Sequence, residues 1–295
     1  MKRLLVSAAL LIFMAGTSYS DTGDFKQLHE SADSTSLSQA LTSAQGKPDS
    51  VKDLYVLGLI YLNQHQNAQA RDIFSSILKA EPDYFAAKWG VAEVLRRQHD
   101  LSQSQKLLRE ILREHSEFPP ACISLAYISY IRMDFKGAVL LAHKVLSQGI
   151  KKVDLSNYVR ARLILGGSKG MMAHYGGPLS KIISGTAVLP NLKKAQELQP
   201  DSAGVLFGMG AFYLLAPKVI GGDIDTALKY LKKAIEVDPL FVDAYVRLAQ
   251  AYRTRGDLDK YEFYLGEAFR IDPLNELALD TKSGSCKFIC SARND

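Results

Sequence analysis

The sequence is poor in the residues that build tight chemical sites: its 295 positions hold three cysteines, six histidines and one tryptophan. The histidines, His29, His65, His99, His115, His143 and His174, form no H-E-x-x-H and no i, i+4 pair, which argues against a metal site. No serine stands in G-x-S-x-G, and Gly166-Gly167-Ser168-Lys169-Gly170 lacks the Gly-x4-Gly-Lys spacing of a phosphate loop. Cys122 lies in the apolar stretch ACISLAYISYI, where a thiol behaves as a small buried hydrophobe. The chain is therefore expected to have no catalytic residue, no metal and no cofactor, and not to be an enzyme.

Charge of one sign is also scarce. The formal net charge is +5, with acidic and basic residues interleaved, so the dense basic stripe of a nucleic-acid binder is missing. Long apolar runs are confined to the N-terminus, MKRLLVSAALLIFMAGTSYS, where Lys2 and Arg3 precede an apolar run that gives way to small residues. That layout predicts a signal peptide over residues 1–20, because the run falls short of the roughly 20 residues of a spanning helix. No cysteine stands near the cleavage region to carry a lipid anchor, and no integral membrane segment is expected afterwards. The protein is expected to be exported and soluble, in a bacterial periplasm.

Repetition is what the chain does have. Pro48 and Pro82 are 34 apart, Ala70, Ser104 and Ala138 recur at 34, and Pro239 and Pro273 are again 34 apart. Pro200 to Pro239 is 39, and Ile150, standing where a proline would fall, to Pro200 is 50, so two consecutive repeats carry insertions. Gly58, Ala70, Ala92, Ala126 and Ala249 would let paired helices approach, while Tyr61, Phe74, Leu95 and Tyr252 fill the gaps between pairs. The prolines follow each second helix, where a missing N–H is harmless. A period in this range predicts a solenoid in which each pair buries the apolar face of the one before.

Leu57-Gly58-x2-Tyr61, Ala70-x3-Phe74 and Pro82 give nearly the whole tetratricopeptide pattern, with Leu54 in place of its tryptophan. The chain thus resembles the tetratricopeptide repeat family over most of its length. The resemblance implies an all-α, right-handed superhelical solenoid of helix-turn-helix repeats, at about 51–84, 85–118, 119–152, 153–202, 203–241 and 242–275. Residues 21–50 would supply an N-terminal capping helix, with Phe25, Leu28, Leu37 and Leu41 as its apolar residues, and 276–295 a C-terminal tail. The Gly-Gly turns and Ala216-Pro217 resemble a group of exported bacterial repeat proteins, with a looser similarity to the T-component proteins of tripartite periplasmic transporters.

The stretch Gly221-Gly222-Asp223 before an amphipathic helix invites comparison with an anion-binding loop, but no strand precedes it, and Asp223 would repel a phosphate. Asp223 is expected to cap the helix beginning at Ile224, and Pro178, after Gly176-Gly177, to open a helix in repeat four.

Because the family is a scaffold for protein contacts, the resemblance implies a non-catalytic adaptor with a protein or peptide partner in the concave groove. First helices line that face, which would bring together Tyr55, Asn63, Trp89, Glu93, Arg96, Arg97, Tyr127, Tyr130, Gln250 and Arg253, a mix of aromatics and arginines suited to a binding hot spot. The competing reading packs Tyr127 and Tyr130 between helices and leaves the charges merely solvated. The apolar insertions 182–190 and 214–220 either cover the solenoid's own core or protrude as a self-association patch, which would suit an oligomeric solute-handling accessory of a periplasmic transporter. In the tail, Cys286 and Cys290 are candidates for a local disulfide, free thiols being the alternative.

Overall fold

The computed structural model describes residues 22–39 and 50–290. The expected signal peptide, residues 40–49 of the expected N-terminal cap and residues 291–295 of the tail lie outside the described residues. Described residues are all-helical. Helix α1 (Thr22–Ser34) comes first, followed by paired helices: α2 (Val51–Asn63) with α3 (Asn67–Ala80), α4 (Phe85–Arg97) with α5 (Leu101–Glu114), and α6 (Pro119–Ile131) with α7 (Phe135–Leu146). In repeat four, α8 (Leu155–Tyr175) is overlong and a short α9 (Pro178–Gly185) precedes α10 (Val188–Leu198). Then come α11 (Ala203–Leu215) with α12 (Ile224–Val237), α13 (Val242–Arg255) with α14 (Leu258–Ile271), and a last helix α15 (Glu276–Ser283).

Local chemistry sets these boundaries. Ser50, Asp100, Asp134, Asp154, Asp223, Asp257 and Asn275 each accept a backbone N–H from the first turn of the helix that follows. Asp223 does so from Thr226, with Gly221 in the left-handed region at φ 105°. A Cβ on Gly222 would fall 1.8 Å from the Ala216 carbonyl oxygen. The Gly-Gly-Asp stretch is thus a turn and a cap. His65, His99, Met133 and Gly256 recur at the turn inside their repeats with φ of 57°, 63°, 64° and 86°, a conformation that costs any residue but glycine.

Each first helix packs on the first helices of its neighbours, giving an inner row α2, α4, α6, α8, α11, α13, α15. Phe74 of α3 is fully buried between the backbones of α2 and α4, facing Gly58 and Gly90. The row curves until its ends meet. His65 lies 3.0 Å from the Asp238 carboxylate, and His99 lies 2.9 Å from Asp272 and 3.0 Å from Glu276, joining the turns of repeats one and two to the far end of the chain.

Helix α1 does not extend the stack. It lies on the inner row, its aromatic Phe25 surrounded by Tyr55, Tyr84, Phe85 and Phe118 from two successive repeats. In and beside the insertions, Ser184 and Leu214 are buried, whereas Leu179, Ile182, Ile183, Val219 and Ile220 are exposed.

Candidate functional site

The inner face of repeats one to three is built by α2, α4 and α6, with α1 seated across them. Phe25, His29 and Ala32 stand at i, i+4 and i+7, one stripe of a helix, and all three are buried. His29 Nε2 lies 3.0 Å from the Tyr55 hydroxyl, and its ring packs 5.5 Å from that of Trp89. Lys26 donates to the carbonyls of Ile150 and Lys151, and Asp33 accepts from Asn63 at 3.2 Å and from Ser156, so the helix is tied to both walls.

Beneath it runs a polar chain. Trp89 Nε1 donates to Ser124 Oγ at 3.0 Å, and Ser124 Oγ donates to Glu93 Oε2 at 2.8 Å. Glu93 also accepts from Arg96 and Arg97, at 2.8 and 2.9 Å, and Arg97 Nη1 donates to the Leu62 carbonyl at 2.6 Å. Burial alone would raise the Glu93 carboxyl, but the two guanidiniums outweigh it and hold the group well below the usual carboxylate range. Burial lowers His29, with Asp154 and Asp33 pulling the other way and Arg160 adding to the lowering, so the ring is held neutral. Between α1 and this floor a cavity of about 20 Å³ remains, beside Asp33, Trp89, Glu93 and Asn157. That is room for about one water, not for a solute.

The far half of the inner face is filled by the other end of the chain. Cys286 and Cys290 are joined in a disulfide, and the loop they close presents Phe288, which is buried and stacks on Tyr130 with 5.9 Å between ring centroids. Asp280 accepts the backbone N–H groups of Lys287 and Phe288 at 2.9 Å, and Arg247 donates to the Phe288 carbonyl at 2.8 Å. Gln250 donates to Thr281 at 2.7 Å, and Tyr175 donates to the Lys287 carbonyl at 2.8 Å.

The ten residues expected in the groove therefore fall into three sets. Tyr55, Trp89 and Glu93 are buried under α1, with Arg96 and Arg97 half-buried and Asn63 at the rim. Tyr130 and Gln250 are engaged by the tail, and Tyr127 is half-buried under the Arg96 guanidinium, 4.2 Å away, so both expected tyrosines pack inside. Arg253 is exposed and lies over Tyr261. Sequence reasoning missed the occupants, Phe25, His29 and Phe288, and the buried supports Ser124, Asn157 and Arg247. The i, i+4 spacing of Phe25 and His29 was the available signal, but nothing in a helical stripe says which surface it meets. Among the described residues no group of three His, Cys, Asp or Glu is placed to hold a metal ion, and no helix is long and apolar enough to cross a membrane.

Paired helices stacked in one inner and one outer row define a helical-repeat solenoid. The tetratricopeptide repeat family model matches residues 55–122 and 221–278, and those two stretches are tetratricopeptide repeats set in this architecture. No curated protein matches the sequence. Among solved structures, a tetratricopeptide repeat protein from Parabacteroides merdae is 14% identical over 88% of this chain and 97% of its own, with a TM-score of 0.52. A chain of the APC/C hetero-tetramer Cut9-Hcn1 is 16% identical over 86% of this chain and 46% of its own, with a TM-score of 0.53. YrrB, a tetratricopeptide-repeat protein with an unusual peptide-binding site, is 19% identical over 71% of this chain and 97% of its own, with a TM-score of 0.36. At these identities the likeness concerns the fold. Solenoids of this kind commonly present their concave face to proteins or peptides.

Proposed function

We propose that this protein is a non-catalytic scaffold, acting in a bacterial periplasm, that receives a helical segment of a protein partner on the inner face of repeats one to three. Tyr55, Asn63, Trp89, Glu93, Arg96 and Arg97 form the contact in this reading, with Tyr127, Tyr130, Gln250 and Arg253 further along the same face. The observation that carries it is the seating of α1: the surface accepts an amphipathic helix with an aromatic side chain in one turn and a polar ring in the next. A partner segment with that pattern would compete with α1 for the same place, and its apparent affinity would be lowered by the fraction of molecules in which α1 is docked.

Crosslinking capture from the cell envelope tests this with three forms of the full protein. Phe25→Asp, which expels α1, is expected to capture a defined partner more efficiently than the wild type, and Trp89→Ala is expected to lose it while keeping its helicity. Identical capture by all three forms would overturn the proposal.

A further inference from the structure

From Leu155 to Gln196 the chain carries no aspartate or glutamate, and none again from Ser202 to Gly222, although it holds 31 acidic residues in all. These two stretches contain both insertions, and the fold brings the insertions to one edge. Helices α8 and α11 are neighbours in the inner row, with Leu163 of α8 beside Gly204 and Gly208 of α11, and they run in the same direction. Their C-terminal ends therefore emerge on the same side. There α9 folds back on α8, Ser180 Oγ donating to the Met172 carbonyl at 2.8 Å, and α11 gives way to the 216–222 turn.

This edge is apolar where it meets solvent. Leu179, Ile182 and Ile183, at i, i+3 and i+4 of α9, are 70%, 65% and 59% exposed, and Val219 and Ile220 of the turn are 92% and 54% exposed. Lys181 and Lys218 stand exposed among them. An open hollow of about 500 Å³ beside α9 is lined by Lys169, Met172, Pro178, Leu179 and Ile183. The nearest acid in sequence, Asp223, is engaged as the cap of α12, accepting the Thr226 N–H at 2.7 Å.

A second copy of the chain is the poorer occupant, because a two-fold contact sets the same patch on both sides and would bring lysines against lysines with no carboxylate in the insertions to answer them. An anionic lipid surface answers both features, taking aliphatic side chains at the headgroup boundary and lysines against the phosphates. We infer that the edge formed by α9 and the 216–222 turn docks this protein on an anionic membrane surface.

Flotation of the full protein with vesicles tests this, using phosphatidylcholine alone and phosphatidylcholine mixed with phosphatidylglycerol. The protein is expected to float with the mixed vesicles only, and less so as salt is raised. Lys181→Glu is expected to lower partitioning roughly fivefold or more, and the double variant Ile182→Asp, Val219→Asp to abolish it with an unchanged melting profile. Absence of flotation with mixed vesicles, or flotation indifferent to these substitutions, would overturn the inference. So would a wild-type dimer in sedimentation equilibrium that the double variant dissolves, since a second copy would then cover the edge.

Discussion

Phe74 shows what single residues contribute to this fold. Its ring fills the space between α2 and α4 only because both helices present glycine to it: a Cβ on Gly58 or on Gly90 would stand 2.5 Å from the ring. The phenyl group cannot withdraw, being fully buried. Gly90→Ala is therefore expected to lower stability by about 1–3 kcal/mol, the usual cost of overpacking a core. Gly266, on the exposed face of α14 with nothing within 4 Å of its would-be Cβ, should respond in the opposite direction, Gly266→Ala gaining about 0.5–1 kcal/mol from helix propensity. Denaturant midpoints of the two variants check both signs. The Gly58 and Phe74 pairing was legible in the sequence, because both belong to one repeating pattern. The left-handed turn position shared by His65, His99, Met133 and Gly256 was written at the same spacing but hidden, since three of its four occupants are not glycine.

At the scale of an element, α1 is the part whose place the sequence did not disclose. Periodicity reports which helix pairs with which, and the described helices between residues 51 and 271 do pack in consecutive pairs. The seating of α1 rests on contacts far apart in the chain, such as Lys26 with Ile150 and Asp33 with Ser156, and no spacing rule reaches across them. The same holds for the tail, where the cysteine pair was visible but the stacking of Phe288 on Tyr130 was not. The docking of α1 depends on pH through His29, which faces Tyr55 from α2, Asp154 and Arg160 from the start of repeat four, and Asp33 on its own helix. Its value is lowered in the docked state, chiefly by burial, so a released helix binds a proton more readily than a docked one. Docking is fully favoured above the ordinary histidine value near 6.5 and weakens as pH falls below it. Trp89, the only tryptophan and 4% exposed against His29, reports this directly. Its emission should shift to the red on acidification in the wild type and remain unchanged in His29→Gln.

For the whole molecule the controlling feature is the clasp between the turn at His99 and the carboxylates of Asp272 and Glu276. The hydrogen bond that His99 donates to Glu276 is the largest influence raising the histidine, burial opposing it and the charges of Glu276 and Asp272 adding to it. The sign is opposite to that of His29. The stabilisation is complete below the ordinary histidine value and is lost as pH rises through the raised one. An open solenoid unfolds nearly as a row of units coupled only to their neighbours. Here repeat two is joined to the last helix, so the expected outcome is one cooperative denaturant transition at mildly acidic pH. In His99→Ala the transition should broaden or divide in two, and an unchanged single transition in that variant would show the clasp to be thermodynamically silent.

The position of the clasp also orders events during synthesis. Chains emerge N-terminus first, and domains form as their residues become available. Helix α1 and most of the inner face it occupies precede residue 132, whereas Asp272, Glu276 and the disulfide loop at 286–290 are among the last segments to appear. The N-terminal half can therefore fill its own groove while the ring is still open, and the circle closes only when the end of the chain arrives. Until then, the nascent molecule presents Tyr130, Tyr175, Arg247 and Gln250 without the tail that engages them, and it is in that interval that another chain could be built into the ring.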